Sequence, residues 1–170
     1  MEKRGYIQVY TGNGKGKTTA AFGLAVRALC AGKRVFIGQF VKSMKYHETQ
    51  IESLFDRLEI RQFGRGCFIK HDPSEMDMAR KGLKECTKKL SSGEYDVVIL
   101  DELTIALYYR LLTEEEVLKA LRKKAIATEV VVTGRYASAT LTEFADLVTE
   151  MQEVKHYYTR GVLSREGIDR

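Results

Sequence analysis

The sequence predicts a three-layer α/β fold on a mainly parallel sheet. Three observations carry this expectation. Strand-like and helix-like segments alternate along all 170 residues. Residues 96–100 (DVVIL) and 129–133 (EVVVT) read as apolar runs, as strands covered on both faces do. A glycine-rich turn joins the first strand to the first helix. Parallel strands joined by right-handed crossovers place helices on both faces of such a sheet.

Residues 6–10 (YIQVY) read as the first strand. Residues 18–31 form the first helix, with Ala21, Leu24, Ala25 and Ala28 on one face and Gly32 as its stop. Strands follow at 34–40 (RVFIGQF) and 58–63 (LEIRQF), with a helix expected between them at 48–56. A helix over 74–90 carries Met78, Leu83 and Cys86 at helical spacing and leads to the strand at 96–100. An amphipathic charged helix over 114–124 precedes the strand at 129–133. A short helix at 139–146 and a last strand at 147–154 complete the order.

The length suits one domain, 1–170, and 44% hydrophobic with 30% charged residues is an ordinary globular balance. No apolar run approaches a membrane span. Met1-Glu2-Lys3-Arg4 runs directly into a strand without a signal peptide, so a cytoplasmic location is expected. The three cysteines, Cys30, Cys67 and Cys86, lack C-x-x-C spacing, which argues against a zinc site or a disulfide framework. The net charge of +5 suits a polyphosphate ligand as well as nucleic acid. Nucleic-acid binding needs a basic stripe with stacking aromatics. Tyr108-Tyr109-Arg110 and Tyr157-Tyr158-Thr159-Arg160 are isolated, so no such partner is expected.

The strongest signal is Thr11-Gly12-Asn13-Gly14-Lys15-Gly16-Lys17-Thr18-Thr19, between a strand and a helix. That is the context of a phosphate-binding loop. Glycines let backbone N–H groups converge on anionic oxygens, and the helix N-terminus adds its positive dipole end. Lys17 supplies a point charge and the Thr18 hydroxyl a magnesium ligand. The standard pattern G-x-x-x-x-G-K-S/T needs glycine at position 11; Thr11 stands there and Gly12 comes one residue late. The apolar strand Val97-Val98-Ile99-Leu100 ends in Asp101-Glu102, where phosphate-loop proteins place the acid that holds magnesium. Strand ends in open α/β sheets gather ligands, so this pair is expected to meet Thr18. His47, His71 and His156 are scattered, and no hydrolytic constellation is recognisable.

Four stretches of the chain resemble the ATP:corrinoid adenosyltransferases. They are Val9 to Gly23, Gln39-Phe40-Val41-Lys42, Val98 to Leu103, and Thr133-Gly134-Arg135 followed by Ala145-Asp146-Leu147-Val148-Thr149-Glu150-Met151 and Lys155-His156. The resemblance implies a RecA-like phosphate-loop fold, a homodimer, and ATP with magnesium. The implied reaction is attack of the Co(I) of a reduced corrinoid on the ribose 5′-carbon, releasing triphosphate, with ATP held reversed in the loop. A separate reductase would supply Co(I). The resemblance assigns Asn13, Lys15, Lys17 and Thr18 to the triphosphate, with Lys15 and Lys17 as the catalytic charges; Gly12, Gly14, Gly16 and Thr19 complete the candidate nucleotide-binding loop. The same resemblance assigns Thr18 and Glu102 to magnesium and Arg27 to the ribose; Asp101, from the acidic strand end, is a further magnesium candidate. Phe40, Cys67 and Phe68 are the candidates beside the corrinoid, Gly66-Cys67-Phe68-Ile69 standing where family members carry an aromatic G-F-x-W. The alternative is an ATPase or kinase acting at the terminal phosphate, which would release ADP.

Overall fold

The structure, a computed structural model, describes residues 4–42, 47–64 and 73–169. Six strands form one sheet in the order β3-β2-β4-β5-β1-β6, and every neighbouring pair is parallel. The strands are β1 (Ile7–Thr11), β2 (Val35–Phe40), β3 (Leu58–Phe63), β4 (Val97–Asp101), β5 (Glu129–Thr133) and β6 (Leu147–Glu150). The helices are α1 (Lys17–Cys30), α2 (Pro73–Ser92), α3 (Leu103–Tyr108), α4 (Glu114–Leu121) and α5 (Ala139–Phe144).

The period-two alternation of the central strands builds two cores. Val35, Ile37, Val97, Ile99 and Val131 face α1, meeting Ala21, Phe22, Ala25 and Leu29. Phe36, Phe40, Val98, Leu100, Val130 and Val132 face the opposite layer, with Leu83 and Leu90 of α2, Leu103 of α3, Leu121 of α4 and Leu141 of α5. Helices therefore cover both faces, and the middles of β2, β4 and β5 are apolar because neither face meets water, with polar Gln39, Asp101 and Thr133 near or at their carboxyl ends.

The largest differences from the sequence reading are three. The segment expected as a helix over 48–56 is a 3₁₀ helix, His47–Leu54, which packs Ile51 on the α1 side. Its few apolar residues cannot form a continuous helical stripe. Helix α3 is an element to which the sequence reading assigned nothing, its six residues being too few to show a helical period; it buries Leu103, Thr104 and Ala106. The strand expected over 147–154 ends at Glu150. Beyond it the Met151 carbonyl turns to accept the Gly14 N–H at 2.6 Å. Among the described residues no helix is long and apolar enough to cross a membrane.

The parallel sheet brings the carboxyl ends of β1, β2, β4 and β5 to one edge. Of the four described non-glycine residues with positive φ, Val41 and Glu102 directly follow β2 and β4, and Tyr136 lies three residues after β5. Left-handed backbone at a β-branched residue such as Val41 is strained and persists only where its surroundings impose it. The chain thus bends sharply where the functional residues sit.

Candidate active site

The glycine-rich loop runs from the end of β1 into α1. Thr11 is still the last residue of β1, extended, so its position needs no glycine. Its carbonyl accepts the Met151 N–H at 2.8 Å and its hydroxyl accepts the Ala137 N–H at 3.3 Å. The left-handed turn comes at Gly12, φ 96°, where a Cβ would lie 2.4 Å from the Met151 carbonyl oxygen. At Gly14 a Cβ would lie 2.7 Å from the same oxygen. The loop glycines are therefore required by the close approach of the segment after β6. The end of the A-D-L-V-T-E-M segment thus buttresses the unusual loop. Gly16, φ 117°, then starts α1.

Inside the loop the Lys17 ammonium donates to the carbonyl oxygens of Gly12 and Gly14, both at 2.7 Å. The side chain is buried, and burial, reinforced by Arg135, lowers its pKa against the opposing pull of Glu102. Thr18 Oγ1 donates to Asp101 Oδ1 at 2.8 Å, so the loop meets the first of the two carboxylates at the strand end.

Asp101 is wholly buried and accepts four hydrogen bonds. Thr18 and Thr133 donate to Oδ1; Gln39, at 3.0 Å, and Lys42, at 2.9 Å, donate to Oδ2. Burial alone would push this carboxyl up, but Lys42 and the donated bonds outweigh it and hold it below the usual carboxylate range. Glu102 differs. Its left-handed backbone, φ 58°, turns it off the end of β4, and its N–H donates to Thr133 Oγ1 at 3.1 Å. Burial, and then the neighbouring Asp101, raise its pKa against Lys42, Lys17 and Arg135. Two adjacent carboxyls thus have separate surroundings. Asp101 is saturated by donors from four sides, whereas Glu102 lies among the charges of Lys17, Lys42 and Arg135.

Gly134 makes this arrangement possible. At φ 133°, a Cβ there would lie 2.2 Å from Thr104 Oγ1 and 3.3 Å from Glu102 Oε2. Thr104 Oγ1, on α3, donates to the Arg135 carbonyl at 2.7 Å and so ties the end of β5 to the start of α3.

Lys15 lies on the loop exterior, where its ammonium donates to the Ile168 carbonyl at 2.8 Å and pairs with Asp169 at 3.2 Å. Arg27 is exposed in the last turn of α1, about 14 Å along the helix axis from Thr18 at 1.5 Å per residue. Phe40 is fully buried and tilts against Phe63, with ring centroids 5.6 Å apart, so it belongs to the core behind the strand end. Cys67 and Phe68 lie outside the described residues.

The sequence reading assigned no role to Gln39, Lys42, Thr133, Gly134 or Arg135, although all lay in the stretches singled out. The signal was polar residues at the carboxyl ends of otherwise apolar strands, where side chains reach the ligand edge of a parallel sheet. Among the described residues no three His, Cys, Asp or Glu side chains gather as a metal cage. The hydroxyl and carboxylate at this glycine-rich loop nevertheless suit magnesium, which takes few protein ligands and completes its shell with water and other oxygens.

Comparison with known proteins agrees with this geometry. The family model described as ATP:corrinoid adenosyltransferase BtuR/CobO/CobP matches residues 3–169. The chain is 36% identical over 171 residues to the corrinoid adenosyltransferase of Escherichia coli (strain K12), covering 99% of this chain and 87% of that protein. It is 37% identical over 171 residues to the corrinoid adenosyltransferase CobA of Salmonella typhimurium (strain LT2), with the same coverage. Identity to the corrinoid adenosyltransferase of Pseudomonas aeruginosa (strain PAO1) is 34% over 174 residues, covering 99% of this chain and 85% of that one. A loop braced by the segment after β6, facing an acidic strand end, together with a match along nearly the whole length, places this chain in the ATP:corrinoid adenosyltransferase family.

Proposed function

We infer that this enzyme transfers the 5′-deoxyadenosyl group of ATP to the Co(I) of a reduced corrinoid and releases inorganic triphosphate. The observation that carries the reading beyond family membership is the convergence of Lys17, Thr18 and Glu102 at one sheet edge, on a loop braced by Met151. Co(I) attacks the ribose 5′-carbon, the carbon–oxygen bond to the triphosphate breaks, and its electron pair leaves with the triphosphate. Cobalt rises formally from +1 to +3. The nucleophile comes with the substrate, so the protein has to align the reactants and stabilise the leaving group's charge.

The chain's own residues divide that work. Gly12, Asn13, Gly14, Gly16 and Thr19 present the loop backbone to the triphosphate. Lys17 supplies the central positive charge, already fixed between two loop carbonyls, and Lys15 a second from the loop exterior. Thr18 and Glu102 would hold magnesium, and Asp101 orients Thr18 by taking its hydroxyl proton in a hydrogen bond, leaving the oxygen lone pairs for the ion. Bound there, magnesium would neutralise triphosphate charge. ATP lies reversed, with its 5′-carbon rather than its terminal phosphorus toward the second substrate; Arg27 reaches the ribose and Phe68 with Cys67 borders the corrinoid. Phe40 packs against Phe63 in the core behind the strand end.

We further read the chain as one RecA-like domain, 1–170, working as a homodimer in the cytoplasm with a separate reductase. The parallel sheet, with the loop and the acidic strand end on one edge, supports the domain reading. The family resemblance supports the rest. The deciding experiment incubates the protein with magnesium, chemically reduced cobalamin, and ATP labelled either in adenosine or in the terminal phosphate. Adenosine label is expected in the corrinoid and terminal label in intact triphosphate. Stoichiometric ADP, formed at a rate indifferent to reduced corrinoid, would replace this reading with the ATPase.

A further inference from the structure

The segment that follows β6 carries a second 3₁₀ helix, Tyr157–Arg160, and returns to the phosphate loop. There Asp169 is the centre of a compact cluster. Its Oδ1 accepts a hydrogen bond from the Tyr157 hydroxyl and pairs with the Lys15 ammonium at 3.2 Å. Its Oδ2 accepts from the backbone N–H and the Nε of Arg165, both at 3.1 Å. The Arg165 guanidinium stacks over the Tyr157 ring at 4.6 Å. The Asp169 side chain is only 12% exposed, although its neighbours are surface residues. The same segment reaches across to the 3₁₀ helix after β2, where Glu166 meets His47 at 3.1 Å.

We propose that Asp169 is a positioning residue for the triphosphate, acting by holding the Lys15 ammonium at the loop. The proposal rests on the reading that Lys15 contacts the triphosphate. A lysine on a loop crest samples many rotamers, and fixing it on binding opposes affinity. Here two of its three N–H donors are spent on the Ile168 carbonyl and on Asp169. The third stays available to an anion, and the side chain keeps 41% of its surface accessible. Arg165 also bonds the carboxylate. Asp169 is therefore a compensated anion that steers Lys15 without presenting a bare negative charge to the phosphates. An uncompensated carboxylate would compete with ATP for the lysine; this one preorganises it.

The test is a double-mutant cycle on ATP kinetics with Lys15→Ala, Asp169→Asn and the double variant, and with Asp169→Glu as the conservative control. Asp169→Asn is expected to raise the KM for ATP about two- to fivefold, the range of a partly exposed ion pair, with kcat nearly unchanged. Asp169→Glu should recover most of the loss. In the Lys15→Ala background Asp169→Asn should have no further effect, which general damage to the fold would not produce. A fall in KM on Asp169→Asn, or an equal effect with and without Lys15, overturns the proposal. If Lys15→Ala alone leaves the KM for ATP unchanged, the role of Lys15 fails first and this inference falls with it. Wild-type corrinoid and triphosphate products in every variant show that the reaction assignment is untouched by either failure.

Discussion

Removing the buried carboxylate at position 101 should separate its structural role from its catalytic one. Asp101 accepts four hydrogen bonds with no exposed surface, and Lys42 beside it is 17% exposed. Asp101→Ala leaves that ammonium without its closest counter-charge, and breaking one side of a buried pair costs about 3–5 kcal/mol. Glu48, 3.7 Å from the same ammonium, gives it somewhere to relax, so the lower end, about 3 kcal/mol, is expected. Asp101→Asn behaves differently. The amide oxygen must face Lys42 and Gln39, because an ammonium cannot accept. The amide nitrogen then faces Thr18 and Thr133, whose hydroxyls can rotate to accept. Stability should fall by only about 1–2 kcal/mol, the scale of weakened charged hydrogen bonds. The Thr18 lone pair, however, now points inward and its proton outward, toward the proposed magnesium position. Asp101→Asn should therefore fold yet need far more magnesium. Urea unfolding at neutral pH gives the two stabilities, and a magnesium titration of adenosyl transfer gives the second effect. Lys42→Met combined with Asp101→Ala should recover at least about 1 kcal/mol against the sum of the singles. Asp101→Ala within about 0.5 kcal/mol of wild type, or Asp101→Asn with an unaltered magnesium dependence, would refute this reasoning.

Lys17→Ala should abolish ATP-dependent activity while circular dichroism and the unfolding midpoint stay near wild type, because it removes the charge at the loop centre rather than a core contact. Thr18→Ala and Glu102→Gln should each shift the magnesium titration to higher concentration, and chelation of magnesium should stop turnover of the wild type. Gly12→Ala should lose stability and ATP affinity together, since a methyl group would lie 2.4 Å from the Met151 carbonyl oxygen on a φ of 96°; equal melting temperatures for the two proteins would contradict the buttress. Away from the site, Glu59 accepts from Lys89 and Tyr95, and although burial opposes ionisation these donors hold its pKa below the ordinary value. A depressed carboxylate contributes stability above its unfolded pKa, about 4.3, and loses it as pH falls through the folded value. The stability gap between wild type and Lys89→Met should hold at neutral pH and close in acid, as read from urea unfolding at pH 7 and pH 3.

Much of this molecule was legible in the sequence because its signals are local. A buried parallel strand must be apolar on both faces, so residues 96–100 and 129–133 declared themselves without a partner. The glycine-rich loop between β1 and α1 was legible because its glycines, lysine and threonine are consecutive. The short helix Leu103–Tyr108 was hidden because its six residues are too few to show a helical period. Tertiary structure alone decided how the carboxylates divide. Asp101 and Glu102 are neighbours of one chemical type, and nothing in their spacing distinguishes them. Donors from β2, α1, β5 and the turn after β2, between 32 and 83 residues away, saturate one, while a left-handed backbone turns the other off the strand. The late glycine was visible as a departure from the standard pattern, but its cause was not. It is the Met151 carbonyl, brought against the loop by the pairing of β6 with β1, a contact between residues 139 positions apart along the chain from Gly12. Composition and periodicity specify which faces are buried; which charges meet at a strand end depends on crossovers that no local pattern encodes.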